Sequence, residues 1–197
     1  MKILSAKQTQ AADAYTIEHE PITSLDLMER AAQALAQLFL AQHPKKAFQI
    51  ICGKGNNGGD GLALARLLNQ EKCLVKVVLV EHSENISPDC KANLSRLKKQ
   101  GIPLKFLKSA KDYQRPTENF VIVDAILGSG LNRPLEGLIA QVVELLNQAP
   151  NKRVAVDIPT GLFADDNTKN DLKKVFKAHC TYTFQHPKKS LLNAFTA

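Results

Sequence analysis

Two aspartates interrupt runs that are otherwise apolar. Asp124 lies in FVIVDAIL and Asp157 in RVAVDI. A carboxylate in such a run is costly unless it is paired, hydrogen-bonded or set against a cation. Asp157 is therefore a candidate general acid/base or cation stabiliser. The alternative, for it and for Asp124, is an acceptor of loop N–H groups that shapes the next turn. A third segment, Gly53-Lys54-Gly55-Asn56-Asn57-Gly58-Gly59-Asp60-Gly61, holds five glycines in nine residues. Glycine at that density suits a backbone that approaches a ligand closely or takes positive φ repeatedly. Gly53, Gly55 and Gly58 have the GxGxxG spacing of a dinucleotide fingerprint, and Glu81 lies about where a ribose-binding acid would be. Free N–H groups at a helix start favour an anion such as phosphate.

Other side chains beside these add chemistry. Asn56, Asn57 and Asp60 bring polar oxygens to the first segment. After Asp124, Gly128 and Gly130 open the backbone around Ser129, Arg133 can meet a phosphate, and Pro134 suits a first helical turn. A surface ion pair is the alternative for Arg133. Thr160 offers a hydroxyl oxygen, or else a local turn hydrogen bond. Asn57, Asp124 and Thr160 together form a set of hard oxygen donors that suits a cation without transition-metal character. No His/Cys cluster points to zinc or iron. There is no GxxxxGK[ST] and no GxSxG, and none of Tyr15, Tyr113 or Tyr182 has a YxxxK context for hydride chemistry.

The elements that must hold these residues alternate. Residues 5–19 and the stretch LDLMERAAQALAQLFLAQH, with Ser24 as its cap, read as two helices broken by Glu20-Pro21. Apolar, β-branched runs follow at 47–52, 74–80, 104–107, 120–127, 153–158 and 180–184. Helical stretches lie between them at 61–70, 88–100 and 134–147. Continuous apolar strands alternating with helices predict a mostly parallel sheet covered on both faces, a Rossmann-like three-layer α/β sandwich. In such sheets ligands bind beyond the carboxyl ends of the strands, which selects the loops after Cys52, Leu127 and Ile158.

Composition narrows the class. With 44% hydrophobic and 23% charged residues, the 197 residues can bury a core as one domain. No apolar run is long enough to span a membrane, and the start lacks the apolar region of a signal peptide. The four cysteines have no CxxC spacing and read as reduced thiols of a cytoplasmic protein. The formal net charge is +7, and residues 91–115 alone carry eight basic residues against Asp112. That stretch reads as a solvated helix face followed by an edge strand whose lysines discourage edge pairing, rather than a nucleic-acid surface.

GKGNNGGDGLALARLL, VDAILGSGLNRPLEG and VAVDIPTGL resemble the three signatures of the YjeF N-terminal domain, the family of NAD(P)H-hydrate epimerases. LMERAA resembles that family's second helix, and TYTFQHPK its late strand followed by Pro-Lys. The resemblance implies an isomerase of nicotinamide cofactor repair, which interconverts the R and S forms of hydrated NADH or NADPH. It implies substrate contacts from Asn56, Asn57, Gly58, Gly59 and Asp60, and from Gly128, Ser129, Gly130, Leu131, Asn132, Arg133 and Pro134. Asp157 matches the cofactor-contacting aspartate and is the expected catalytic residue. Asn57, Asp124 and Thr160 match the ligands of a potassium ion, with Thr where the family usually has Ser. The expected partners are the dinucleotide substrate, a second copy of the chain, and a fused or separate NAD(P)HX dehydratase. No membrane or nucleic-acid partner is expected. A non-catalytic module that binds a nucleotide or protein is the alternative. Two departures stand out. Lys189-Ser190 follows Pro187-Lys188 where the family usually has glycine, and the single domain over 1–197 lacks the usual final strand and helix.

Overall fold

The computed structural model describes residues 3–44 and 47–192, so residues 1–2, 45–46 and 193–197 of the expected 1–197 domain lie outside the described residues. Six strands form one sheet: β1 (Ala47–Cys52), β2 (Val75–Val80), β3 (Leu104–Leu107), β4 (Phe120–Ala125), β5 (Arg153–Val156) and β6 (Cys180–Tyr182). Their order is β3-β2-β1-β4-β5-β6, and every pairing is parallel. That is the strand order of a doubly wound sheet, with its switch point between β1 and β4. The helices are α1 (Ala6–His19), α2 (Ser24–Gln42), α3 (Asn56–Gln70), α4 (Pro88–Lys99) and α5 (Gly137–Asn147).

Side-chain alternation along the strands feeds two cores. Phe48, Ile50 and Cys52 of β1 pack with Phe39 of α2, Leu64 of α3 and Leu97 of α4. Ile51, on the other face, packs with Val142 and Leu146 of α5. A polar knot fixes the first layer. Arg66 of α3 donates to Glu29 of α2 and, at 3.1 Å, to Asn93 Oδ1 of α4. Arg96 of α4 reaches the same Glu29 at 3.3 Å. This ties α3 to α2 and α4.

The basic stretch takes the expected form. Arg96, Lys98 and Lys99 occupy the last turn of α4, where cations suit the helix dipole. β3, at one edge of the sheet, carries Lys105. Among the described residues no helix is long and apolar enough to cross a membrane.

Several element ends differ from the sequence reading; β6, for one, stops at Tyr182 rather than at residue 184. Thr23, not Ser24, caps α2: its side chain accepts from Asp26 N, while Ser24 Oγ donates to Asp89 of α4 at 2.6 Å. Helix α3 starts at Asn56 rather than Gly61, because packing overrides the poor helix propensity of the glycines. Helix α5 starts at Gly137, not Pro134, since φ of +58° at Gly137 cannot be continued backward as helix. Strand β4 stops at Ala125, and β5 at Val156, where Asp157 takes φ of +66°.

Candidate active site

The glycine-rich segment packs against its own protein. Gly53 N donates to Ala125 O at 3.0 Å, across the β1/β4 switch. A Cβ on Gly53 would lie 2.1 Å from the Ile126 carbonyl oxygen, and one on Gly58 would lie 2.0 Å from that of Gly53. A Cβ on Gly61 would lie 2.5 Å from Ala125 Cβ. None of the five glycines from 53 to 61 is among the positive-φ residues. Of the two readings of this glycine-rich segment, repeated positive φ is therefore corrected. These glycines let α3 begin hard against the ends of β1 and β4. The helix cap Gly55 has no side chain to offer, so the first-turn N–H groups have no intrahelical partner.

A cleft of about 1260 Å³ opens beyond the carboxyl ends of the strands. Asn56, Asn57 and Asp60 line it, with residues 128–133, Asp157 and Lys188. Helices α1 and α2 form the far wall. Gly58, Gly59 and Pro134 are not among the lining residues; the two glycines are buried. Arg133 is exposed and makes no ion pair among the described residues, so the surface-pair alternative is not what the structure holds.

Asp124 is fully buried. Its Oδ1 accepts from Ile126 N at 3.1 Å and from Thr160 Oγ1 at 2.7 Å; its Oδ2 accepts from Thr160 N at 2.7 Å. Burial pushes this carboxyl up to about 6, against the pull of those three bonds. Thr160 Oγ1 also accepts from Leu127 N at 3.0 Å and lies 3.3 Å from Leu127 O. The hydroxyl thus joins two strand ends rather than closing a local turn.

Asn57 is buried, and among the described residues neither its Oδ1 nor its Nδ2 has a hydrogen-bond partner. Leaving such groups unmet costs about 1–3 kcal/mol each. A Cβ on Gly128 would lie 3.2 Å from Asn57 Cβ and 3.3 Å from Asp157 Oδ2, so these three meet tightly. The Asp124 carboxylate, the Thr160 hydroxyl and the Leu127 carbonyl meet as oxygen donors with one negative charge, and Asn57, beside Gly128, has an orphaned amide oxygen that could join them. That chemistry fits a hard monovalent cation. Among the described residues no group of three His, Cys, Asp or Glu could hold a metal.

Asp157 follows β5 in a left-handed conformation that costs a non-glycine residue about 1–3 kcal/mol. Its N–H still donates to Tyr182 O at 2.8 Å. Its Oδ2 accepts from Ser129 N at 3.2 Å, and its Oδ1 pairs with Lys188 Nζ at 2.8 Å. Asp60 is half-buried. Burial first, then the charges of Asp157, Asp13 and Asp89, hold its carboxyl well above the usual range.

The family model described as YjeF-related protein N-terminus matches residues 24–190. The chain belongs to this family. It is 38% identical over 192 residues to the NAD(P)H-hydrate epimerase of Oenococcus oeni, which covers 96% of this chain and 88% of that protein. It is 35% identical over 200 residues to the bifunctional NAD(P)H-hydrate repair enzyme Nnr of Moorella thermoacetica, covering 98% of this chain and 37% of that one. The crystal structure of yeast ynu0 superposes with a TM-score of 0.80 at 25% identity, over 98% of this chain and 84% of that one.

In this YjeF-type domain two cleft residues lay outside the sequence-derived site. Lys188 sits after β6, 31 positions from its partner; the Pro-Lys of TYTFQHPK was its only trace. Asp13 reaches the cleft from α1, where Gln185 donates to it and burial raises its carboxyl. Nothing in the weakly patterned α1 sequence marked it.

Proposed function

We propose that the chain is an NAD(P)H-hydrate epimerase, an isomerase that interconverts the R and S forms of hydrated NADH and NADPH. The observation that carries this reading is one cleft lined jointly by Asp157, the start of α3 and residues 128–133. The near full-length similarity to an epimerase supports it. The free first-turn N–H groups of α3 and the unpaired Arg133 suit the phosphates of a dinucleotide.

Epimerisation at the hydrated ring carbon requires the hydroxyl to leave and return on the other face, or the ring to open. When the hydroxyl leaves, the C–O bond breaks and the adjacent nitrogen lone pair closes a cationic iminium. The Asp157 carboxylate then faces the developing positive charge and takes the proton of the returning water. Asp60 keeps its proton above the range of exposed carboxyls, which suits it to protonate the departing hydroxyl. Potassium, held by Asn57, Asp124 and Thr160, would add a fixed positive charge that ties the three loops together.

The S form would pass to a dehydratase, fused or separate; a relative named as a bifunctional repair enzyme supports that partnership. The four free thiols support a reducing, cytoplasmic setting. The Asp157→Asn variant tests the chemistry. Asn is at home in the left-handed conformation, so the exchange removes charge without straining the turn. Loss of about 100-fold or more in kcat with dinucleotide binding intact is the expected result. Near-normal turnover would sink the role of Asp157.

A further inference from the structure

We propose that Lys188 is a positioning residue for the epimerisation: it locks the Asp157 carboxylate in place, with the Oδ2 edge left toward the cleft. The inference rests on the role of Asp157 given above.

Lys188 is only 2% exposed, an unusual place for a lysine. Its ammonium finds three acceptors. These are Asp157 Oδ1 at 2.8 Å, Phe184 O at 2.9 Å and His186 O at 3.3 Å. Three N–H donors meeting three acceptors leave no proton of Nζ unspent. A compact ammonium with three rotatable donors suits this cage better than a planar guanidinium would. The pair then divides the labour on Asp157. Oδ1 is taken by Lys188, while among the described residues Oδ2 accepts one backbone N–H, from Ser129 at 3.2 Å. Gly128 leaves space beside that oxygen, since a Cβ there would lie 3.3 Å from it. Oδ2 therefore keeps a lone pair free beside the cleft.

The backbone around Lys188 is bent to deliver it. Gln185 takes φ of +57°, and the same residue bonds Asp13 of α1. The 184–188 turn thus gives two carbonyls and the ammonium to one point. A side chain that only filled this space would need no charge, and burying a charge is costly unless it is paired.

The test uses the full chain, with Lys188→Met to keep the volume and Lys188→Ala to leave room for an added amine. The readouts are thermal melting and steady-state epimerisation of hydrated NADPH. The expected result is a kcat about 100- to 1000-fold lower in both variants, with KM within about threefold of the parent. Ethylammonium is expected to restore part of the Lys188→Ala rate. Adding Lys188→Met to Asp157→Asn should slow that variant no further than about threefold, because both changes remove one unit. Folded variants that turn over within about threefold of the parent would overturn the proposal. So would variants that fail to fold, since the residue would then be structural. A parent chain that turns over, beside an unaffected Lys188→Met, refutes only the proposal. A parent chain with no turnover refutes the epimerase reading, and the proposal falls with it.

Discussion

Thr160→Val removes a hydroxyl while keeping the shape of the side chain. In the structure that hydroxyl donates to Asp124 Oδ1 at 2.7 Å and accepts from Leu127 N at 3.0 Å. At pH 7.5 Asp124 is ionised, so the first bond is charge-assisted and contributes about 1.5–3 kcal/mol. The orphaned Leu127 N–H costs about 1–2 kcal/mol more, toward the low end because that residue is half-buried. The sum is roughly 3–4 kcal/mol, or about 10 °C in Tm for a domain of this size. Thr160→Ser keeps the hydroxyl and loses one buried methyl, about 1 kcal/mol. The assay is urea and thermal unfolding followed by circular dichroism, in KCl and in choline chloride. The parent and the Ser variant should melt higher in KCl, and the Val variant should not. A Val variant within 1 kcal/mol of the parent, or one that keeps the potassium response, refutes the linkage of Asp124, Thr160 and the cation.

The potassium effect should depend on pH. Asp124 is raised to about 6, above its unfolded value near 3.8, so folding binds its proton. That favourable contribution is full below the unfolded value and lost as pH rises through about 6, leaving a penalty near 3 kcal/mol. A cation offsets the penalty only when the proton is gone. Half-saturating potassium in a melting series should therefore rise about tenfold per pH unit below 6, and a flat response would count against Asp124 as a ligand. Gly58→Ala should destabilise by about 3 kcal/mol or more in urea unfolding, because a Cβ there would lie 2.0 Å from a backbone oxygen, whereas Gly59→Ala meets the flexible end of Met28 at 2.9 Å and the Cys90 Cα only at 3.3 Å and should cost less, about 1–2 kcal/mol. Asp60→Asn should lower kcat and remove the fall in rate at high pH that comes from Asp60 losing its proton; an unchanged basic limb would exclude Asp60 as the proton donor.

The sheet was legible because its central strands β1 and β4 are buried on both faces. Runs such as AFQIIC and FVIVDA admit little besides core strands, and the three six-residue strands lie where such runs are. The loops they feed were legible for the same reason, since the doubly wound order puts a ligand at the β1/β4 switch. The start of α3 was hidden because Asn-Asn-Gly-Gly-Asp has weak helix propensity, and only contacts with Gly53, Met28 and Ala125 make it helical. The left-handed turn at Asp157 has no signature in RVAVDI; it follows from the bond of its N–H to Tyr182 on β6. Lys188 reads as one more surface lysine until the chain is folded. Its partner is far away in sequence, and long-range pairings leave no periodic trace.

The most direct measurement starts from a single purified epimer of hydrated NADPH and the chain at catalytic concentration. Chromatography then follows the appearance of the opposite epimer in potassium buffer. The predicted result is conversion to the R/S equilibrium far faster than the protein-free blank, from either starting epimer. A folded chain that binds the dinucleotide yet leaves the epimer ratio at the blank rate would contradict the epimerase function.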